Sequence, residues 1–448
     1  MGVAVRRLQL LELALADVAP GIGLSPVLHE VRDRRNTGGA RELVQLGELL
    51  GAVGALRENG EEQPALGLRL CPSLRAPTRH LAKYAPRQAG SLAVVGGLAE
   101  RLAARTLELV DIPSESRNEA AAGAHLRSLV PAPFEPVYEG DEAFLWARAR
   151  RPGAPLLVLA GHYDTVPAQD NVPGHVAGGA VHGCGASDMK GGVAVALELV
   201  RELAASEPGR VDVALLLFGR EELPPEHNPL PALFDATPLV HEADLALLLE
   251  PTDLTIQAGC VGNLSARVTF HGVAGHSARP WLADNAVHRA IEGLAAIAPR
   301  ERREVVVDGL AFYEVVSVTR IEGGTADNVV PDRAVATLNL RYPPDRSPDG
   351  AEDFVRTLVP DDATVEIVGN SPPADVVVDA PLVRALRAVG NFALEPKQAW
   401  TNVADFTSRG IPAVNFGPGA TRYAHARDEQ VEIAALEQAY LALRELVD

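Results

Sequence analysis

Three short apolar runs in the middle of the chain each give way to acids or an imidazole. Pro155–Ala160 (PLLVLA) leads into Gly161-His162-Tyr163-Asp164, Val211–Phe218 (VDVALLLF) into Glu221-Glu222, and Leu245–Leu249 (LALLL) into Glu250. Runs of this length, without polar alternation and separated by helical stretches, predict the parallel strands of an α/β sheet covered on both faces. Such sheets bind ligands in the crevice beyond the carboxyl ends of their strands. The pattern therefore predicts a site where His162, Glu221, Glu222 and Glu250 meet. A carboxylate closing an apolar strand, as Glu250 does, calls for compensation of its buried charge.

The periodicity changes after Glu250. From Leu264 it predicts strand Leu264–Phe270, helix Asn285–Ile297, strands Glu314–Ile321 and Ala334–Tyr342, helix Asp349–Leu358 and strand Thr364–Val368. This βαββαβ order fits a ferredoxin-like α+β sandwich. The expected organisation is a catalytic domain of 98–256 and 369–448, opened by the helix Ala99–Val110, with 257–368 inserted. Residues 1–97 carry no motif. Leu8–Ala16 is apolar enough for a short helix, but Asn36–Gly39, Asn59–Gly60 and Pro77–Arg79 break any sustained pattern. The segment reads as an extension, or as sequence upstream of the true start.

Composition narrows the class. A chain of 448 residues exceeds a single typical core, and 47% hydrophobic with 22% charged residues is ordinary for a globular enzyme. Residues 1–95 hold 12 basic and 9 acidic residues against 29 and 50 in the remainder, so the acidity belongs to the domains. A net charge of −18 argues against nucleic acid and anionic membranes as partners. Cys71, Cys184 and Cys260 form no C-x-x-C pair, so neither a disulfide framework nor a thiolate metal site is indicated. With no 18-residue apolar run and no convincing signal peptide, the cytoplasm is the expected location.

Imidazole and carboxylate suit Zn²⁺ and its first-row neighbours, whereas calcium takes oxygen ligands throughout. Two ions about 3.5–4 Å apart need one shared carboxylate and terminal ligands on each side. His162, Asp188, Glu250, His425 and one of Glu221-Glu222 would satisfy this. The other member of that pair, pointing away, would serve as general base. His425 lies in a loop with no strand to aim it, and Asp428 or Glu429 is the alternative there.

The motifs, taken in order, carry a resemblance. Gly161-His162-Tyr163-Asp164-Thr165-Val166-Pro167, Gly185-Ala186-Ser187-Asp188-Met189-Lys190-Gly191-Gly192, Glu221-Glu222, Glu250-Pro251-Thr252-Asp253, Gly275-His276-Ser277-Ala278-Arg279-Pro280 and Ala424-His425 resemble the co-catalytic zinc superfamily of aminoacylases, carboxypeptidases and amino-acid deacylases. The resemblance runs from about Leu98 to Asp448. Within it, Val307-Asp308-Gly309-Leu310, Trp400-Thr401-Asn402-Val403-Ala404 and Ile411–Gly419 look most like the succinyl-diaminopimelate desuccinylases of actinobacteria. The resemblance implies two zinc ions per subunit, replaceable by cobalt or manganese. His162 and Glu250 would hold one, Glu222 and His425 the other, with Asp188 between them and the Asp188–Met189 peptide cis. Glu221 would be the general base and Asp164 the acid that orients His162. The inserted domain would be a lid and dimerisation domain whose His276 stabilises the oxyanion in the partner's site. Asn328, Arg341 and Thr401 would bind substrate, Arg341 as a planar fork for a carboxylate.

The implied reaction is removal of the acyl group from an N-acyl amino acid, with N-succinyl-LL-2,6-diaminopimelate the expected substrate. An acetylornithine-type deacetylase, a dipeptidase or a carboxypeptidase is the alternative, and a metal-poor binding homologue a remote one. Ser187 and Ser277 lie in no Gly-x-Ser-x-Gly setting and are not expected nucleophiles. One departure bears on the substrate: the desuccinylase pattern has an acid where Asn402 stands and a base where Asp405 stands, leaving Arg409 or Arg422 as substitutes. Because no motif precedes Leu98, deleting Met1–Val95 is expected to leave turnover and bound zinc unchanged. An inactive but folded truncation, assayed beside the full chain, would contradict this.

Overall fold

A computed structural model describes residues 97–448, so the expected Leu8–Ala16 helix and nearly all of the N-terminal extension lie outside the described residues. The predicted strands form the middle of an eight-stranded sheet. Its order is Glu135–Glu139, Ala143–Ala147, Asp212–Phe218, Leu156–His162, Leu245–Leu248, Ala413–Asn415, Ile256–Cys260 and Leu394–Lys397. Leu156–His162 runs parallel to both of its neighbours, and Ala413–Asn415 runs parallel to Leu245–Leu248. Ala143–Ala147 is antiparallel to both of its neighbours, while Ile256–Cys260 is antiparallel to Ala413–Asn415 and parallel to Leu394–Lys397.

The central strands read as unbroken apolar runs because both faces are covered. Leu157, Leu159, Val213, Leu215, Leu217, Leu245 and Leu247 pack beneath the helices Leu98–Val110, Gly191–Ala204 and Ile433–Val447. Leu156, Val158, Ala160, Ala214, Leu216, Ala246 and Leu248 meet the other layer, with Leu230–Ala236 and Val403–Thr407. Gly191–Ala204 lies between the sheet and two further helices, and it is buried nearly all round. Two glycines permit the close fit at Glu250. A methyl on Gly192 would lie 2.3 Å from the Leu249 carbonyl oxygen, and one on Gly417 2.4 Å from those of Leu249 and Glu250.

The second sheet is five-stranded and antiparallel, in the order Arg303–Val307, Leu310–Gly323, Arg333–Tyr342, Gly262–His271 and Thr364–Ser371. Ala286–Leu294 and Pro348–Thr357 pack on one face over Leu264, Ala266, Val268, Phe270, Leu338 and Leu340. Leaving aside the edge strand Arg303–Val307, the order is that of a ferredoxin-like βαββαβ unit. That edge strand went unpredicted although its signal is plain. Asp308-Gly309 between Val305-Val306-Val307 and Leu310 is a hairpin turn with both central residues at positive φ (49° and 83°), as a type I′ turn requires. The two sheets also exchange chain later than expected. Ile256–Cys260 belongs to the large sheet, so the crossing lies at Val261 rather than 257, and the return strand runs to Ser371 rather than 368. There Ala374 N–H donates to the Cys260 carbonyl (3.1 Å), so entry and exit lie side by side.

Because the clashing atoms at Gly417 are backbone, Gly417→Ala is expected to cost about 1–3 kcal/mol, the usual range for overpacking. It should also displace Glu250. Chemical denaturation with parallel zinc titration checks both effects; wild-type values in the two would show that the strand end yields freely.

Candidate metal centre

Parallel register brings the carboxyl ends of three neighbouring strands level: His162 pairs with Phe218, and Ala160 with Leu248. His162 closes its own strand, Glu221-Glu222 follow Phe218 after a turn, and Glu250 lies two residues beyond Leu248. Asp188 comes from a widened helical turn, Ala186–Lys190, that precedes the buried helix, and its peptide with Met189 is cis. His425 sits at positive φ (60°) in the loop before the last helix.

These residues converge on Asp188. Its Oδ1 lies 3.1 Å from His162 Nε2, and its Oδ2 3.6 Å from His425 Nε2. His425 Nε2 is also 2.8 Å from Glu222 Oε1. One carboxylate therefore straddles two imidazoles. Glu250 is buried, and its Oε1 has no hydrogen-bond partner. Of the adjacent acids, Glu222 faces His425, while no side-chain hydrogen bond among the described residues occupies Glu221.

Asp164 supports this arrangement from behind. Its fully buried carboxylate accepts from Ser116 Oγ (2.6 Å), Glu221 N–H (3.1 Å) and Glu222 N–H (3.2 Å), and its Oδ1 is 3.4 Å from His162 Nδ1. Ser116 was missed by sequence reasoning because a serine in a loop carries no signal until its partner is placed. Glu429 is not the intruder at His425 that its position suggested. It turns inward under the Asp188 loop, and Asp428 is exposed.

The electrostatics are those of anions crowded together. Burial, and then the neighbouring Asp188 carboxylate, push the Glu250 carboxyl up to about 7. Glu221 is driven well above the carboxylate range, by burial and by Glu250 and Glu222 against the relief given by His162. Its hydrogen bond to Glu222 is the main cause that lifts His425 to about 9. For His162, burial opposes the cation, but the bonds to Asp164 and Asp188 prevail and raise it.

The other expected residues lie elsewhere. His276, exposed, is on the short strand Gly275–His276 paired with Val329–Val330, and Ser277 N–H donates to the Asn328 carbonyl (3.0 Å). His276 and Asn328 are thus neighbours, but among the described residues no hydrogen bond or ion pair links His276 to the five ligand candidates. Arg341 is partly buried, and its Nε donates to Asn339 Oδ1 (3.1 Å). Thr401 Oγ1 is buried and donates to Asn415 Oδ1 (3.1 Å). Asp405 accepts from Asn402 (2.8 Å) and Asn228 (2.9 Å), while Arg409 stacks over Phe234 and Arg422 over Tyr423. Asp405 therefore faces Asn228 and Asn402 of its own chain, and both candidate substitutes for the missing base already have partners.

Peptidase family M20/M25/M40 matches residues 158–448. The chain belongs to this family. It is 39% identical over 354 residues to the succinyl-diaminopimelate desuccinylase of Corynebacterium glutamicum, covering 75% of this chain and 95% of that one. Among solved structures, a tripeptidase from Staphylococcus aureus superposes with a TM-score of 0.65 at 19% identity, covering 78% of this chain and 97% of the other. A dinuclear metal-binding M20 peptidase from Bacillus subtilis gives a TM-score of 0.57 at 16% identity, covering 78% and 97%. The family is metal-dependent, and the protein is a hydrolase of this kind. Its site suits cations. Glu250 Oε1 is orphaned, Asp188 bridges two imidazoles, and ligand atoms of His162, Asp188 and Glu222 lie within 4.8 Å of one another. Among the described residues no helix is long and apolar enough to cross a membrane.

The pKa shifts set the pH response of the metal-free protein. Glu250 is raised from 4.5 to about 7, so its contribution to stability is full below 4.5 and lost as pH rises through 7. His425, raised from 6.5 to about 9, has the same sign: full below 6.5 and lost as pH rises through 9. Asp164 and Asp188 are depressed below 3.8 and act only at lower pH. The Tm of chelator-treated protein is therefore expected to fall between pH 5 and 8, above which Lys190, lowered by burial to about 8, acts in the opposite sense. Zinc should restore it increasingly with pH, because binding displaces protons. A metal-free Tm that rises across this range would contradict the assignment.

Proposed function

We propose that the protein hydrolyses N-succinyl-LL-2,6-diaminopimelate to succinate and LL-2,6-diaminopimelate, in the cytoplasm, using two zinc ions. The observation that carries this reading is the Asp188 carboxylate lying between His162 and His425, with Glu222 and Glu250 as the outer acids. His162 and Glu250 would hold one ion and Glu222 and His425 the other. The desuccinylase from Corynebacterium glutamicum, matched over nearly its whole length, supports the substrate.

When bound, the ions polarise the scissile carbonyl and acidify the attacking water. The chain does the rest. Glu221, held at its backbone by Asp164 and raised in pKa by burial, accepts the proton of the attacking water and returns it to the departing amine nitrogen. Asp164 fixes the orientation of the His162 ring. Arg341 has only a neutral protein acceptor for its Nε, which leaves its outer nitrogens to receive a substrate carboxylate; Asn328 and Thr401 are the further substrate-binding residues.

The second sheet, about residues 261–371, serves as lid and dimerisation domain. Among the described residues, the outer edge of strand Leu310–Gly323 beyond Glu314 has no partner strand, and Val315, Val318 and Ile321 are exposed along it. An unpaired edge of this length suits pairing with a second copy. In such a dimer His276 reaches the partner's site and donates to the oxyanion.

Glu221→Gln is expected to lower kcat by about 10²–10⁴-fold with zinc content retained. His276→Ala should abolish most activity without metal loss, and mixing the two variants should restore part of it, since one site in each heterodimer regains both groups. Failure of rescue despite subunit exchange would place His276 outside the partner's chemistry. Comparing kcat/KM for N-succinyl-LL-diaminopimelate, N-acetylornithine and a dipeptide panel tests the substrate.

A further inference from the structure

We infer that Glu429 is a positioning residue: its side chain ties the His425 loop to the Asp188 loop and thereby sets the spacing of the ligands that straddle the centre. Glu429 is 2% exposed. Its Oε2 accepts Gly185 N–H (2.8 Å), and its Oε1 accepts both Ser187 N–H (3.0 Å) and Asp188 N–H (3.0 Å). The three donors converge because Gly185 adopts a left-handed turn (φ 80°), which side chains resist, and a methyl there would lie 2.6 Å from Thr165 Cγ2. Successive N–H groups in such a turn form a concave anion receptor. Here the anion is part of the chain itself.

The backbone of Glu429 is tied down as well. Its carbonyl accepts Gly183 N–H (2.9 Å), its N–H donates to Ala426 (3.2 Å), and the next residue opens the strand Gln430–Glu432 paired with Ala180–His182. From the same loop, four residues earlier, His425 faces Asp188 and Glu222. Among the described residues no cation forms an ion pair with Glu429; the three backbone donors offset only part of its burial, which pushes the carboxyl up to about 7. A well-packed apolar residue would give a fold as much at lower cost. What the carboxylate adds is a fixed relation between two loops from opposite ends of the catalytic half. The amide it grips at Asp188 belongs to the residue whose two oxygens must face both imidazoles.

This rests on the reading of the five residues as metal ligands. If wild-type protein bound no zinc, that reading would fail; the experiment below assumes that it binds. Glu429→Gln keeps the shape but presents an amide nitrogen to one of the three N–H groups. In the metal-free variant, hydrogen exchange of peptides covering Gly183–Lys190, followed by mass spectrometry, is expected to accelerate. In competition with a chromogenic chelator, zinc affinity should drop about 10–100-fold for at least one ion, and kcat should recover at excess zinc. Glu198→Gln is the control, since Glu198 is also buried and pairs with Arg105 away from the site. It should lower stability without altering zinc affinity. Should Glu429→Gln not fold, Glu429→Asp retains the charge but retracts it by one methylene, and is expected to show a smaller loss of the same kind. Wild-type zinc affinity in whichever variant folds, or a loss equal to that of Glu198→Gln, would overturn the inference.

Discussion

The site depends on one buried carboxylate whose cationic partner is an imidazole, His162. Asp164 accepts two consecutive backbone N–H groups, a serine hydroxyl and the approach of an imidazole, all in the interior. Through those bonds it places His162 and the Glu221-Glu222 pair relative to one another, although they come from different strands. Remove the carboxylate, and His162 Nδ1 keeps only the backbone carbonyl of Asp164, at 3.1 Å, while the two glutamates lose the anchor of their backbone. A buried acid is tolerable here because charge-assisted hydrogen bonds are roughly twice as strong as neutral ones.

A second constraint works against the first. Asp188, Glu221, Glu222 and Glu250 are gathered within a small, largely buried volume, and burial with mutual repulsion drives Glu221 and Glu250 upward in pKa. An arrangement so costly to a metal-free chain is one that cations relieve. The rigid apolar sheet beneath, with layers on both faces, supplies the stability that the strand ends give up.

Much of this was legible in the sequence because strand periodicity and ligand chemistry coincide. Each apolar run ended on the residue that now faces the centre, and the βαββαβ pattern is the core of the second sheet. The strand Arg303–Val307 was missed although Asp308-Gly309 announced it. Its valines sit behind charged residues and lack the length that marked the other strands. Glu429 stood only as an alternative to His425 because a loop has no period from which to read direction; three converging N–H groups reveal which way its side chain turns. The role of Asp405 was hidden for a related reason, since its partner Asn228 is remote in sequence and no pattern joins them.

The adjacency of Cys260 and Ala374 bears on how such a chain can change over generations. From the large sheet, everything between these residues is a single excursion that leaves and returns at one spot. The entropy of closing a loop grows only logarithmically, by about 0.6 kcal/mol for each doubling of length. Segments gained or lost in that excursion therefore leave the ligand cluster in place. A single residue added within Leu156–His162 has the opposite effect, because strand side chains alternate between faces and His162 would be carried to the wrong one. Mutation can alter how substrates are recognised by enlarging or trimming the second sheet, while the strands beneath the metal centre can be varied only by substitution at constant length.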